Sequence, residues 1–129
     1  MSSDTEIIAA HYAASDRGDI EGMLAPLADD VAWTEAAGFP YAGTYVGPDA
    51  IRENVFAQLG RDWDGFGVSI DRLVDGGDGT VVGIGTYRGT NRASGRAFEA
   101  RVAHIWRLAD GKVVGFEQIV DSAQVRAAL

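Results

Sequence analysis

From Phe66 onward the apolar residues recur at every second position, in four runs separated by Asp75 to Gly79, Asn91 to Gly95 and Asp110-Gly111. Runs of this period joined by glycine-, aspartate- and asparagine-bearing turns predict an antiparallel meander. Such a sheet needs a cover for its apolar face, and the preceding residues read as helices. Ser3 and Glu6 have capping-box spacing ahead of Ile7, Ile8 and Tyr12, which predicts a first helix that ends before Gly18 with Ile8 and Tyr12 inward. Asp19 caps a short second helix through Ile20, Met23, Leu24 and Leu27, with Pro26 near its end. A brief strand, Val31 to Glu35, and a loop, Ala36 to Val46, follow. Gly47-Pro48-Asp49 starts a third helix, with Ile51, Val55, Phe56 and Leu59 on its apolar side and Gly60 as its stop. Helices first and strands later predict an α+β domain in which helices cover one face of a curved sheet.

Strict alternation assigns inward sets to the four strands: Phe66, Val68 and Ile70; Val82, Ile84 and Thr86; Ala100, Val102, His104 and Trp106; Val114, Phe116, Gln118 and Val120. His104 is thereby expected in the interior. The opposite face, with Val81, Gly83, Gly85, Tyr87, Ala103 and Ile105, is apolar enough to pair with a second subunit. Gly83 and Gly85 read as bend or close-approach positions on that outer face. Gly83-Ile84-Gly85 lacks the strand-to-helix turn of a dinucleotide site.

The chain has 129 residues, 47% hydrophobic and 23% charged, which suits one domain, residues 1–129, with a proper core. A net charge of -8 with no basic stripe argues against nucleic acid and anionic membrane surfaces as partners. The absence of cysteine removes disulfides, a thiol nucleophile and thiolate metal ligands. The first residues have neither the basic start nor the apolar stretch of a signal peptide, and no run reaches membrane-spanning length, so a cytoplasmic protein is expected.

The element order, with Gly18-Asp19-Ile20-Glu21, Ala28-Asp29-Asp30-Val31, Gly47-Pro48-Asp49-Ala50-Ile51 and Ala103-His104-Ile105-Trp106 ahead of Asp110-Gly111-Lys112-Val113, resembles the ketosteroid isomerase-like and SnoaL-like branch of the nuclear-transport-factor-2-like superfamily. The resemblance spans nearly the whole chain. It implies a cone-shaped α+β barrel, cystatin-like in outline, whose curved and mainly antiparallel sheet wraps N-terminal helices around a deep apolar pocket, commonly as a homodimer. Fold alone does not carry a reaction.

Position by position, the resemblance places the proton-shuttling carboxylate of the steroid isomerases at Glu35. Their hydrogen-bond-donating acid on the penultimate strand corresponds to His104, and their first-helix tyrosine falls near His11, beside Tyr12. The acidic base of SnoaL-like cyclases corresponds to Asp121, although alternation sets Asp121 opposite Gln118 and Val120, so a bulge or strand end is needed to aim it inward. Glu35 also ends an apolar strand, where burial raises a carboxyl pKa toward the range of a general base. The competing reading of Glu35 is an exposed loop carboxylate, and that of His104 a core histidine bonded to Tyr12 or to backbone. Trp33, Tyr41, Trp63, Trp106 and Phe116, with Phe39 and Phe66, are candidates to line a pocket for a small apolar or aromatic molecule. Gln118 and Arg88 are candidates to bind its oxygens, Arg88 equally a rim ion pair. The two histidines lack metal-motif spacing, so no metal and no cofactor are expected. These residues fit acid-base chemistry on a carbonyl compound, an isomerisation or aldol-type cyclisation, with Glu35 as base and His104 as polariser. The rivals are water activation against an epoxide, which needs Arg88 or Arg101 between inward acids, and a binding or dimerisation module without turnover.

Overall fold

The computed structural model describes residues 3–129. Helix α1 (Ser3–Asp16) buries Thr5, Ile8, His11, Tyr12 and Ala14, the three-to-four spacing of one helical face. Ser3, read as its cap, is already helical; the position before it lies outside the described residues. Asp19 caps α2 (Ile20–Leu24) as expected, its Oδ1 accepting the Gly22 N–H at 2.9 Å. After β1 (Leu27–Glu35) comes a strand that alternation did not signal, β2 (Gly43–Val46), inside the segment read as a loop. This edge strand pairs only with β1 and is mostly exposed, so burial leaves no period-two imprint on its sequence. The third helical stretch is continuous from Pro48 to Asp62: α3 (Pro48–Ile51), a π-helical turn (Arg52–Phe56) and α4 (Ala57–Asp62). Gly60 is inside it rather than at its end.

The long strands β3 (Trp63–Gly77), β4 (Thr80–Asn91), β5 (Ala97–Ala109) and β6 (Lys112–Val120) form the expected meander. Asp78 and Gly79, with φ of 52° and 79°, and Asp110 and Gly111, with φ of 51° and 77°, supply the paired left-handed residues of two-residue hairpin turns. The sheet has six strands in the order β2-β1-β6-β5-β4-β3, antiparallel throughout except where β1 runs parallel to β6. Bulges in the β1–β6, β3–β4 and β5–β6 ladders accompany its curvature around α1 and α2. A final helix, α5 (Ser122–Arg126), was not foreseen; it buries Val125 beside Trp63, Tyr87 and Phe98. No helix among the described residues is long and apolar enough to cross a membrane.

Two strand phases differ from the expectation. On β4 the buried residues are Val81, Gly83, Gly85, Tyr87, Gly89 and Asn91, whereas Val82, Ile84 and Thr86 face outward and are half-buried. Register settles the matter, because Val81 stands opposite Trp106 and Gly83 opposite His104. On β6 the shift between Arg107 and Leu108 turns Val113 inward, fully buried, in place of Val114. The outer sheet face is therefore built from Val82, Ile84, Ala103, Ile105 and Ile119, the last 51% exposed.

Candidate active site

Lateral register assembles the site from residues far apart in sequence. Trp33, Phe116, Trp106 and Val81 stand abreast across β1, β6, β5 and β4. Two residues along, Glu35 follows Trp33 on the same face of β1, and Gln118, His104 and Gly83 form the next row. The first row is a wall of rings, with Trp33 stacked on Phe116 at 3.8 Å and Trp106 edge-on to both at 5.5 and 4.7 Å. The second row is polar and just as deeply buried.

A cavity of about 350 Å³ lies between these rows and the helices. It touches Glu35 and His104 together, with His11 and Tyr12 from α1, Trp33, Trp106 and Phe116 from the sheet, and Val55, Phe56 and Leu59 from the third helical stretch. Exposed Gly18, Gly60, Gly65 and Arg92 form its rim. The volume is in the range of small-ligand sites, and most of the lining is apolar.

The Glu35 carboxyl is 4% exposed and makes no hydrogen bond of ordinary geometry with any described residue. Burial pushes its pKa up from 4.5 to about 8; the neighbouring Trp33 indole opposes that shift without a formed hydrogen bond. Trp33 Nε1 is wholly enclosed and has no hydrogen-bond partner.

His104 has the opposite environment. Its Nδ1 lies 2.7 Å from Tyr12 Oη and its Nε2 2.6 Å from Tyr87 Oη. Trp106 Nε1 donates to Tyr12 Oη at 2.9 Å, and the Gln118 amide donates to Tyr87 Oη at 2.9 Å while its Oε1 accepts the Ala36 N–H at 3.0 Å. Burial, seconded by His11, drives the His104 pKa down to about 3, so the ring is neutral. His11 is neutral too: burial lowers its pKa to about 4, against the opposing bond from Nδ1–H to Met23 O at 2.9 Å. That bond fixes the His11 tautomer and leaves Nε2 as an acceptor.

Both His11 and Tyr12 thus line the cavity, which answers the choice between them. Gln118 stands behind Tyr87 and supports it. Three expected site residues are elsewhere. Asp121 is exposed at the N-terminus of α5, because β6 ends at Val120 and the chain turns outward. Arg88 points out of the sheet and pairs with Glu99 at 2.9 Å, since its neighbour Tyr87 takes the inward phase. Tyr41 donates to Asp62 at 2.7 Å and accepts from Trp63 Nε1 at 3.1 Å, facing a separate hollow; Trp63 borders both spaces. Arg101 also faces out, bonded to Asp71 at 2.7 Å. Among the described residues no three His, Asp or Glu side chains converge as a metal site. The residue missed altogether is Tyr87. Its signal was its shared phase with Gly83 and Gly85, small residues that leave room for large partners.

A SnoaL-like domain pattern matches residues 8–116. No curated protein matches the chain. Among solved structures, an NTF2-like protein from Burkholderia thailandensis E264 is 52% identical, with 99% of this chain and 98% of that one covered at a TM-score of 0.95. An NTF2-like protein of unknown function from Burkholderia pseudomallei K96243 is 29% identical over 99% and 98% of the two chains, with a TM-score of 0.91. TerC, co-crystallised with polyporic acid, is 30% identical over 98% of each chain, with a TM-score of 0.86. With that pattern matched along most of its length and a relative of 52% identity sharing its fold, the chain belongs to the SnoaL-like domain family of NTF2-like proteins.

Proposed function

We propose that this protein is a cofactor-independent enzyme that moves a proton on a neutral, apolar carbonyl compound, in an isomerisation or aldol-type cyclisation. The observation that carries the reading is the Glu35 carboxyl, buried and unpartnered at the wall of a cavity that also reaches the His104 network. As a carboxylate, Glu35 takes a proton from the carbon beside the carbonyl. The C–H electron pair becomes the enolate double bond, and charge moves to the oxygen, where hydrogen-bond donors of the network stabilise it. Glu35 then returns the proton at another carbon, or the enolate carbon attacks a second carbonyl, whose π pair moves to its oxygen and takes the proton back from Glu35. With both histidines neutral and Glu35 protonated near neutrality, the cavity favours an uncharged ligand. Its volume argues against a packed-shut assembly module. The outward ion pairs of Arg88 and Arg101 argue against the acid-arginine-acid arrangement of an epoxide hydrolase. TerC, crystallised with polyporic acid, is a relative whose ligand is a small molecule.

Glu35→Gln should lower turnover of an enolisable ketone by a factor of about 100 or more and leave the fold intact. Unchanged turnover would remove Glu35 from the mechanism. For the wild type, kcat/KM should climb with pH and level off above about 8, as Glu35 ionises.

We also propose a homodimer through the outer sheet face of Val82, Ile84, Ala103, Ile105 and Ile119. These neighbours form an apolar patch on a chain of net charge -8. A monomer in sedimentation at micromolar concentration would refute it.

A further inference from the structure

The network around His104 holds one hydrogen more than its own contacts use. Trp106 Nε1 only donates, and the Gln118 amide is oriented by the Ala36 N–H on its Oε1, so each tyrosine oxygen already accepts one hydrogen from outside. Between them lie two contacts, Tyr12 Oη to His104 Nδ1 and Tyr87 Oη to Nε2. A neutral imidazole carries one N–H, and the two phenols carry one O–H each. The ring N–H satisfies one contact, and the phenol facing the bare nitrogen satisfies the other. The phenol that accepts from the ring keeps a hydroxyl hydrogen with no place inside the network, and the His104 tautomer decides which phenol that is.

We propose that this phenol is Tyr87, which donates its spare hydrogen to a carbonyl oxygen of the ligand, with His104 in the Nε2–H tautomer as the residue that positions it. The proposal rests on the carbonyl-binding reading of the cavity and deepens it. Both tyrosines line the cavity, and crowding at the hydroxyl oxygen separates them. Tyr12 Oη is hemmed in by Trp106, His104 and the backbone of Gly83, where even a Cβ would stand 2.5 Å away. Tyr87 lines the cavity and is near enough to Glu35 to feel its charge, yet the two share no hydrogen bond. A ligand oxygen that takes the Tyr87 hydrogen then has its neighbouring carbon on the side of Glu35. Tyr87 would thus be a catalytic residue that polarises the carbonyl while Glu35 works on the adjacent carbon. His104 acts through it rather than on the ligand.

Ring ¹⁵N chemical shifts of His104 at pH 7 test the tautomer directly, on the protein without ligand. The wild type should show a neutral ring protonated at Nε2. Tyr12→Phe should keep that state, and Tyr87→Phe should switch it to Nδ1–H, because Tyr12 becomes the sole remaining acceptor. An imidazolium, or an Nδ1–H ring in the wild type, overturns the proposal, and that spectrum needs no variant to fold. The carbonyl ¹³C shift of labelled 1-indanone then reads the donor. It should move downfield on binding, keep the shift in Tyr12→Phe and lose most of it in Tyr87→Phe. Equal shifts in the two variants, or no binding to the wild type at millimolar ketone, also overturn it. Glu35→Gln should retain the indanone shift, so a failure of the base assignment and a failure of the Tyr87 assignment give different results.

Discussion

Glu35 and His104 are buried to nearly the same degree, 4% and 5% exposed, yet their surroundings differ in kind. Both ring nitrogens of His104 are bonded, and each bonded hydroxyl has a further partner. The Glu35 carboxyl has beside it an indole N–H that is itself unpartnered, and shares no hydrogen bond with nearby Tyr87. Burial costs the ionised form of both groups, but only the histidine recovers hydrogen bonds in its neutral form. The histidine end is thus held rigidly, and the carboxyl end is left ready for a ligand. Burial alone does not mark chemistry; burial without satisfaction does.

The contrast is broken most severely at its rigid end. His104→Ala should cost about 3–5 kcal/mol in chemical denaturation, because it opens a cavity and leaves both tyrosine hydroxyls short of a partner. A loss below about 1 kcal/mol would show that the network does not hold the fold. Its counterpart, Glu35→Gln, should stabilise the protein by a few kcal/mol above pH 8 and much less at pH 5, at about 1.4 kcal/mol per unit of pKa shift. The sign follows from a pKa raised from 4.5 to about 8: the folded state holds the proton more tightly, so stability is present below pH 4.5 and lost as pH rises to about 8.

The histidines set the other limb. With pKa values lowered from 6.5 to about 4 for His11 and about 3 for His104, their neutral forms favour the folded state above pH 6.5. That stability is lost as pH falls, at up to about 1.4 kcal/mol per pH unit for each ring. Urea midpoints of the wild type should therefore decline on both sides of about pH 6.5, and Glu35→Gln should flatten the alkaline side while steepening the acid side between pH 4.5 and 6.5. Gly83→Ala sharpens the comparison with a smaller change. Its methyl would press on Tyr12 Oη, so a loss of about 1–3 kcal/mol is expected, together with a displaced His104 imidazole signal. At the small end, Asp121→Asn and Arg88→Ala should alter stability by less than about 0.5 kcal/mol and leave turnover unchanged, since both side chains are exposed and outside the cavity.

Much of the fold is readable from local pattern because its causes are local. The Asp19 cap, the Pro48 helix start and the Asp-Gly turns at Asp78-Gly79 and Asp110-Gly111 depend on residues only a few positions apart. Glu35 and His104 were also legible, Glu35 through the resemblance and the end of an apolar strand, His104 through alternation with Ala100, Val102 and Trp106. β2 and α5 left no such mark. They are short and mostly exposed, so neither needs an apolar stripe long enough to be recognised. Asp121 was placed in the site by the resemblance, against the phase that alternation gave it, and Arg88 shares the phase of Val82, Ile84 and Thr86, which the structure turns outward.

Strand β4 shows where local reading stops. Val81, Gly83, Gly85 and Tyr87 on one phase and Val82, Ile84 and Thr86 on the other are both compatible with burial, and a period of two cannot choose between two such faces. Side-chain bulk alone favours the aliphatic set as core. The interior takes the glycines instead, because Tyr12 from α1 must pass over Gly83 to reach His104. By itself, the sequence determined the α+β order, the hairpin turns and the two buried polar residues, since those follow from periodicity, short-range backbone chemistry and a family resemblance. The tertiary structure alone decided the β4 phase, the place of Tyr87 and the outward turn at Asp121. Those depend on register and on packing between residues distant in the chain, which no local period encodes.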